Sequence, residues 1–103
     1  MNYSEMDTPT VLIDLAVVNK NIKNYQNYCD EKGLNLRPHI KTHKVPELAK
    51  LQLAAGAIGI TCQKVSEAEA MLSEGGIDDV LITYNIYGHS KLQRLLELSK
   101  KCN

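Results

Sequence analysis

Phenylalanine and tryptophan are absent from the chain, cysteine occurs three times, and twelve lysines and arginines are balanced by twelve acidic residues to a formal net charge of zero. Each scarcity removes a class of function. A neutral chain sets up no long-range field toward nucleic acid or an anionic membrane. Without Phe or Trp, and without a recognised binding module, a nucleic-acid role has little to stand on. Cys29, Cys62 and Cys102 are odd in number, widely spaced and outside any CxxC pair, which suits a reducing compartment better than a disulfide framework or a zinc site. The opening MNYSEMDTPT has neither the basic region nor the apolar run of a signal peptide. No stretch approaches the roughly 20 apolar residues of a membrane span. The expectation is a cytoplasmic protein that engages neither nucleic acid nor membrane.

What is present is the material of one folded unit: 103 residues, 44% hydrophobic and 23% charged. TVLIDL, residues 10–15, reads as a short strand, with Asp14 standing where a helix N-cap is wanted. Leu15, Val18, Ile22, Tyr25 and Tyr28 or Cys29 then recur at helical steps, and Lys32-Gly33 supplies the stop. A theme repeats after that. LNLRPHI (34–40), AIGITCQ (57–63) and DVLITYN (79–85) are strand-like; VPELAKLQLAAG (45–56), SEAEAMLSEGG (66–76) and KLQRLLELSKK (91–101) are helical. Ser66 followed by Glu69 has capping-box spacing. Strand starts a little over twenty residues apart, alternating with helices, predict an α/β fold with a parallel sheet. Either a small open sheet or the opening units of a (β/α)8 TIM-type barrel fits. A whole barrel needs about 250 residues, so the second reading makes this chain part of a longer protein.

Strand alternation divides the polar residues between faces. Arg37, His39 and Lys41 fall opposite Leu36, Pro38 and Ile40; Gly59, Thr61 and Gln63 fall opposite Ile58, Ile60 and Cys62. In the third strand, Leu81, Thr83 and Asn85 alternate with Val80, Ile82 and Tyr84, and the pattern leaves its inward face open. The polar members gather toward the C-terminal strand ends, where α/β folds place their sites. The bland alternative is an edge strand with its basic residues in water, because lysine and arginine are usually exposed.

The densest chemistry is RPHIKTHK, residues 37–44, which holds Arg37, His39, Lys41, His43 and Lys44. Two histidines at HxxxH spacing face one metal only on a helix, whereas Pro38 favours extended chain, and no adjacent carboxylate or cysteine completes a set. A reactive lysine has a firmer rationale. Schiff-base formation needs the free amine, and nearby positive charge or partial burial disfavours the ammonium form. The alternation gives Lys41 Arg37 and His39 as same-side neighbours, and leaves Lys44 as a solvent- or substrate-side charge.

These segments carry a resemblance. TPTVLIDL, RPHIKTHK, GAIGITCQKVSEAE and GIDDVLITYNIYG followed by KLQRLLEL, in that order and over nearly the whole chain, resemble the N-terminal part of the D-threonine aldolase and D-serine dehydratase-like enzymes. These belong to the alanine racemase-like, fold type III class of pyridoxal 5′-phosphate (PLP) enzymes. The resemblance implies that residues 1–103 are a partial N-terminal barrel domain, with the rest of the barrel and a β-rich domain lying elsewhere. It implies a PLP-dependent lyase acting on a small D-amino acid, with Lys41 as both the catalytic and the cofactor-bonded lysine. Arg37, His39, Thr61, Gln63 and Tyr84 are then the cofactor-lining candidates. It further implies a homodimer, and a divalent metal in the full-length protein whose ligands lie outside this chain. The competing expectations are a PLP-carrying or scaffold protein without turnover, an inactive fragment, and an unrelated small α/β binding domain.

Overall fold

The computed structural model describes residues 2–102. Asp14 accepts hydrogen bonds from the backbone N–H groups of Ala16 and Val17, at 2.9 and 3.1 Å, and so starts helix α1, Leu15–Glu31. The carboxylate satisfies two of the four donors that every helix start leaves unpaired. Gly33, at φ 65°, ends the helix, and Leu34 N–H returns to the Cys29 carbonyl at 2.9 Å. The face that turns inward is Val18, Ile22, Gln26 and Cys29. Leu15, Tyr25 and Tyr28 from the expected stripe stay in solvent.

Downstream, α2 (Pro46–Ala54), β1 (Ile60–Cys62), α3 (Val65–Leu72), β2 (Val80–Ile82) and α4 (His89–Leu98) alternate as the sequence pattern predicts. β1 and β2 are parallel, with Ile60 opposite Val80, Thr61 opposite Leu81 and Cys62 opposite Ile82. A third extended segment flanks β1 on its other side. Ile58 N–H donates to the Leu36 carbonyl, Thr61 N–H donates to the Pro38 carbonyl, and His39 bridges Thr61 in parallel. The spatial order is therefore residues 36–39, then β1, then β2, each joined to the next through a helix.

One face of this sheet is closed. Ile40, Ile60 and Cys62 are fully buried, and they pack with Ala49 of α2, with Val65, Ala68 and Met71 of α3, and with Leu98 of α4; Val80 and Ile82 join them. Burying each of the isoleucine, valine, leucine and methionine side chains stabilises by roughly 1.5–3 kcal/mol. The other face carries Leu81 at 47% exposure, and no helix of the described residues packs with it in the core cluster. The third strand's ambiguity is thereby resolved: Val80 and Ile82 face the helices.

Two expectations fail locally. Residues 10–14 form no ladder among the described residues, and Val11 is 88% exposed. Being extended and apolar is a property of the segment, but a strand also needs a partner edge. The expected capping box is displaced too. α3 has Lys64 as its N-cap, two residues before Ser66, with no side-chain cap, so Ser66 lies inside the helix. Glu69 instead forms a two-pronged ion pair with Arg94 of α4.

The molecule is a slab of 47 × 41 × 22 Å with a radius of gyration of 15.9 Å. A compact domain of 100 residues measures about 13 Å. No helix of the described residues is long and apolar enough to cross a membrane.

Candidate functional site

RPHIKTHK changes conformation at its middle. Up to His39 the chain is extended beside β1; at Ile40 it winds into a 3-10 turn, Ile40–Thr42, because the fully buried Ile40 side chain anchors it in the core. His39 caps this turn: its Nδ1 accepts the Lys41 N–H at 3.3 Å. In the neutral ring the proton then sits on Nε2. Lys44 N–H closes the turn on the Ile40 carbonyl at 2.9 Å, with Lys44 at φ 55°. The strand alternation that put Lys41 beside Arg37 and His39 thus stops at Ile40. Lys41 stands in the turn just beyond the C-terminal end of the extended segment, exposed, with no ion pair among the described residues.

The other basic residues of the motif are occupied. Arg37 Nη1 binds Asp79 Oδ1 at 2.7 Å and reaches the carbonyls of Ile60 and Asp79 at 3.5 Å. Gly59 makes room for it, since a Cβ there would collide with that nitrogen and lie 2.8 Å from the Asp79 carbonyl. Arg37 therefore sits at the N-terminal ends of β1 and β2. Lys41 lies four residues further along the chain, past the other end. The guanidinium beside Asp79 holds that carboxyl below its usual range. Arg37 and Lys41 are therefore not the same-side neighbours that strand alternation predicts.

His43 is also structural. Its Nδ1 accepts the Val45 N–H at 3.0 Å, and Nε2 stands 3.3 Å from Gln52 Oε1, a pairing that fits a protonated Nε2. Lys44, expected to be a solvent- or substrate-side charge, is exposed and also ion-paired through Nζ with Glu67 of α3. The Glu67 side chain is only 6% exposed, and its second oxygen accepts the Gln63 N–H at 2.9 Å. The Lys44 ammonium, helped by the Gln63 N–H, holds the Glu67 carboxyl below its usual range against the opposing effect of burial.

Of the remaining candidates, Thr61 is buried on the open-face register of β1, opposite Leu81 and bridged to His39. Gln63 follows β1 and is exposed. Tyr84 lies two residues past β2, 69% exposed, beside Lys64, Ser66 and Lys91 in a shallow cavity of about 140 Å3. His39, Lys41, Thr61, Gln63 and Tyr84 thus lie at or beyond the middle of the strands, toward their C-terminal ends, and Arg37 alone lies at the opposite end.

Glu67 is the residue the sequence reading missed. VSEAE offers two glutamates, and the capping pattern pointed to the second; a helix beginning at Val65 puts the first at its third position, where a carboxylate reaches back to preceding N–H groups. Cys62, beneath this site, is inert: burial, with Glu67 adding to it, pushes its thiol up to about 11. Among the described residues no group of three or more His, Cys, Asp or Glu side chains could hold a metal ion.

No family model matches the chain. D-threonine aldolase of Arthrobacter sp. is 43% identical over 97 residues, covering 94% of this chain and 25% of that protein. The crystal structure of D-threonine aldolase from Filomicrobium marinum superimposes with a TM-score of 0.92 at 40% identity, over 97% of this chain and 27% of the other. D-threo-3-hydroxyaspartate dehydratase from Delftia sp. HT23 gives a TM-score of 0.84 at 38% identity, over 93% and 25%. The chain spans about a quarter of the length of the relatives it matches.

Proposed function

Because the chain is homologous over nearly its whole length to D-threonine aldolases and D-serine dehydratases, we propose that it is the N-terminal portion of a PLP-dependent lyase acting on a small D-amino acid, with Lys41 as the residue that holds the cofactor. Residues 1–103 would be the opening of a (β/α)8 barrel. Support comes from three parallel segments in consecutive order with helices on one face only; a doubly wound sheet carries helices on both. The 22 Å thickness of the slab agrees with a wall rather than a whole body.

The observation that carries the site is the division of labour in RPHIKTHK. Arg37, His43 and Lys44 are each bound to protein groups, while the Lys41 amine is left exposed at the C-terminal end of the strand, where barrel enzymes do their chemistry. The residues present fit the cofactor at that one point of attachment. PLP bound there supplies an electron sink for the pair released when a Cα–Cβ or Cα–H bond of the substrate breaks. The chain's own residues would act around it. His39 orients the Lys41 turn through Nδ1 and keeps a donor on Nε2. Thr61 offers a hydroxyl on the same register, and Gln63 and Tyr84 offer polar groups from the next two strand ends. Arg37 takes no part at this end. A divalent metal would need ligands from outside the described residues. The lyase would be a cytoplasmic homodimer.

In the full-length protein, added PLP should give a visible absorbance band that borohydride fixes on Lys41 and that Lys41→Ala abolishes; an unchanged band in the variant would remove Lys41 from the role. Glycine release from D-threonine would assign an aldolase, and pyruvate from D-serine a dehydratase. Repeating both with a chelator tests the metal.

A further inference from the structure

We infer that Glu67 is a positioning residue that sorts the two lysines of the HIKTHK turn, fixing Lys44 as a structural cation so that Lys41 alone is presented for reaction. The inference rests on the Lys41 reading above. Two adjacent strand ends meet at this one carboxylate. One oxygen holds Lys44 Nζ, three residues after Lys41; the other holds the N–H of Gln63, the residue that follows β1. The carboxylate is almost wholly buried, whereas Lys44 is half exposed, so the anchored partner is Glu67 and the lysine is drawn to it. Lys44 must adopt φ 55° to arrive there, a conformation non-glycine residues seldom take without compensation. Ile40 below and the His43 contacts with Val45 and Gln52 fix the rest of the turn. Lys41 is thus carried on a turn pinned on both sides.

The test has a readout in the cofactor-free protein. Full-length apoprotein is acylated with a limiting amine-reactive reagent, and labelling of Lys41 and Lys44 is mapped by mass spectrometry. Lys41 should label well ahead of Lys44, and Glu67→Gln should raise Lys44 labelling by about tenfold, the scale of one lost charge-assisted contact. The rate at which PLP becomes borohydride-fixable on Lys41 should fall by about ten- to a hundredfold in Glu67→Gln, and Glu67→Asp should recover part of it. Lys44→Gln with Glu67→Gln removes both charges without stranding either in the interior, and should show the same slow reaction at Lys41. Equal labelling of the two lysines in the unaltered protein, or unchanged Lys41 rates in both variants, overturns the inference while leaving Lys41 as the cofactor residue. A cofactor fixed elsewhere than on Lys41 in the unaltered protein overturns the reading beneath it instead.

Discussion

The two ends of the small parallel sheet each carry one ion pair between neighbouring elements, and the pairs differ in kind. At the N-terminal end, Arg37 and Asp79 meet with side chains 22% and 42% exposed, the guanidinium filling the space that Gly59 leaves. At the C-terminal end, Lys44 reaches from a half-exposed position to the buried Glu67, which also holds a backbone N–H. The first pair plugs the sheet, leaving no free polar group of RPHIKTHK at that end. The second pins loops and leaves Lys41 without an ion pair among the described residues. A motif with five basic residues has been divided between a plug (Arg37), three supports (His39, His43 and Lys44) and one exposed amine (Lys41).

The largest effect should come from removing what both ends share. Ile60 lies fully buried between them, and Ile60→Ala should cost about 2–5 kcal/mol in the full-length protein, read as a lower midpoint in urea denaturation. It should also loosen both pairs. Gly59→Ala breaks the N-terminal end alone, because its Cβ collides with Arg37 and with the Asp79 carbonyl; a loss of about 1–3 kcal/mol is expected, with Lys41 labelling unchanged. Glu67→Gln breaks the C-terminal end alone and should cost about 1.5–3 kcal/mol, the range for hydrogen bonds to a charged group. Asp79→Asn, at a pair whose carboxyl is itself 42% exposed, should shift the denaturation midpoint least.

Acid separates the ends in the same order. Both carboxyls are held below their ordinary values, 4.5 for Glu67 and 3.8 for Asp79. Their contributions are therefore complete above those values and are lost as pH falls through the lower folded values. Stability followed from pH 7 downward should not change on their account until below about pH 4.5. Glu67→Gln should flatten the acid limb, and Asp79→Asn should leave its shape nearly intact. An acid limb that Glu67→Gln does not alter would remove the contrast between the two pairs.

Much of this arrangement was legible beforehand. Asp14 capping α1, Gly33 ending it, and the alternation of helices with extended segments follow from local chemistry, which neighbours in sequence determine. The faces of β1 were legible for the same reason: a two-residue period sends Ile60 and Cys62 to one side. The reading failed where a partner distant in sequence decides. Residues 10–15 looked like a strand, but Leu15 opens α1 and no edge among the described residues pairs with residues 10–14. Lys41 looked like the third member of an inward row, but burial of Ile40 ended the extended chain one residue before it. Glu69 looked like a cap, but Arg94, 25 residues later, claims it.

By itself, the sequence determined the order and type of the elements, the crowding of basic groups into residues 37–44, and the family likeness that singles out Lys41, all of which depend on residue identity and near-neighbour spacing. Only the tertiary structure decided which of those basic groups is free. Arg37 was claimed by Asp79, 42 positions away, and Lys44 by Glu67, 23 away. Charges find their partners across space, at distances that spacing along the chain does not encode.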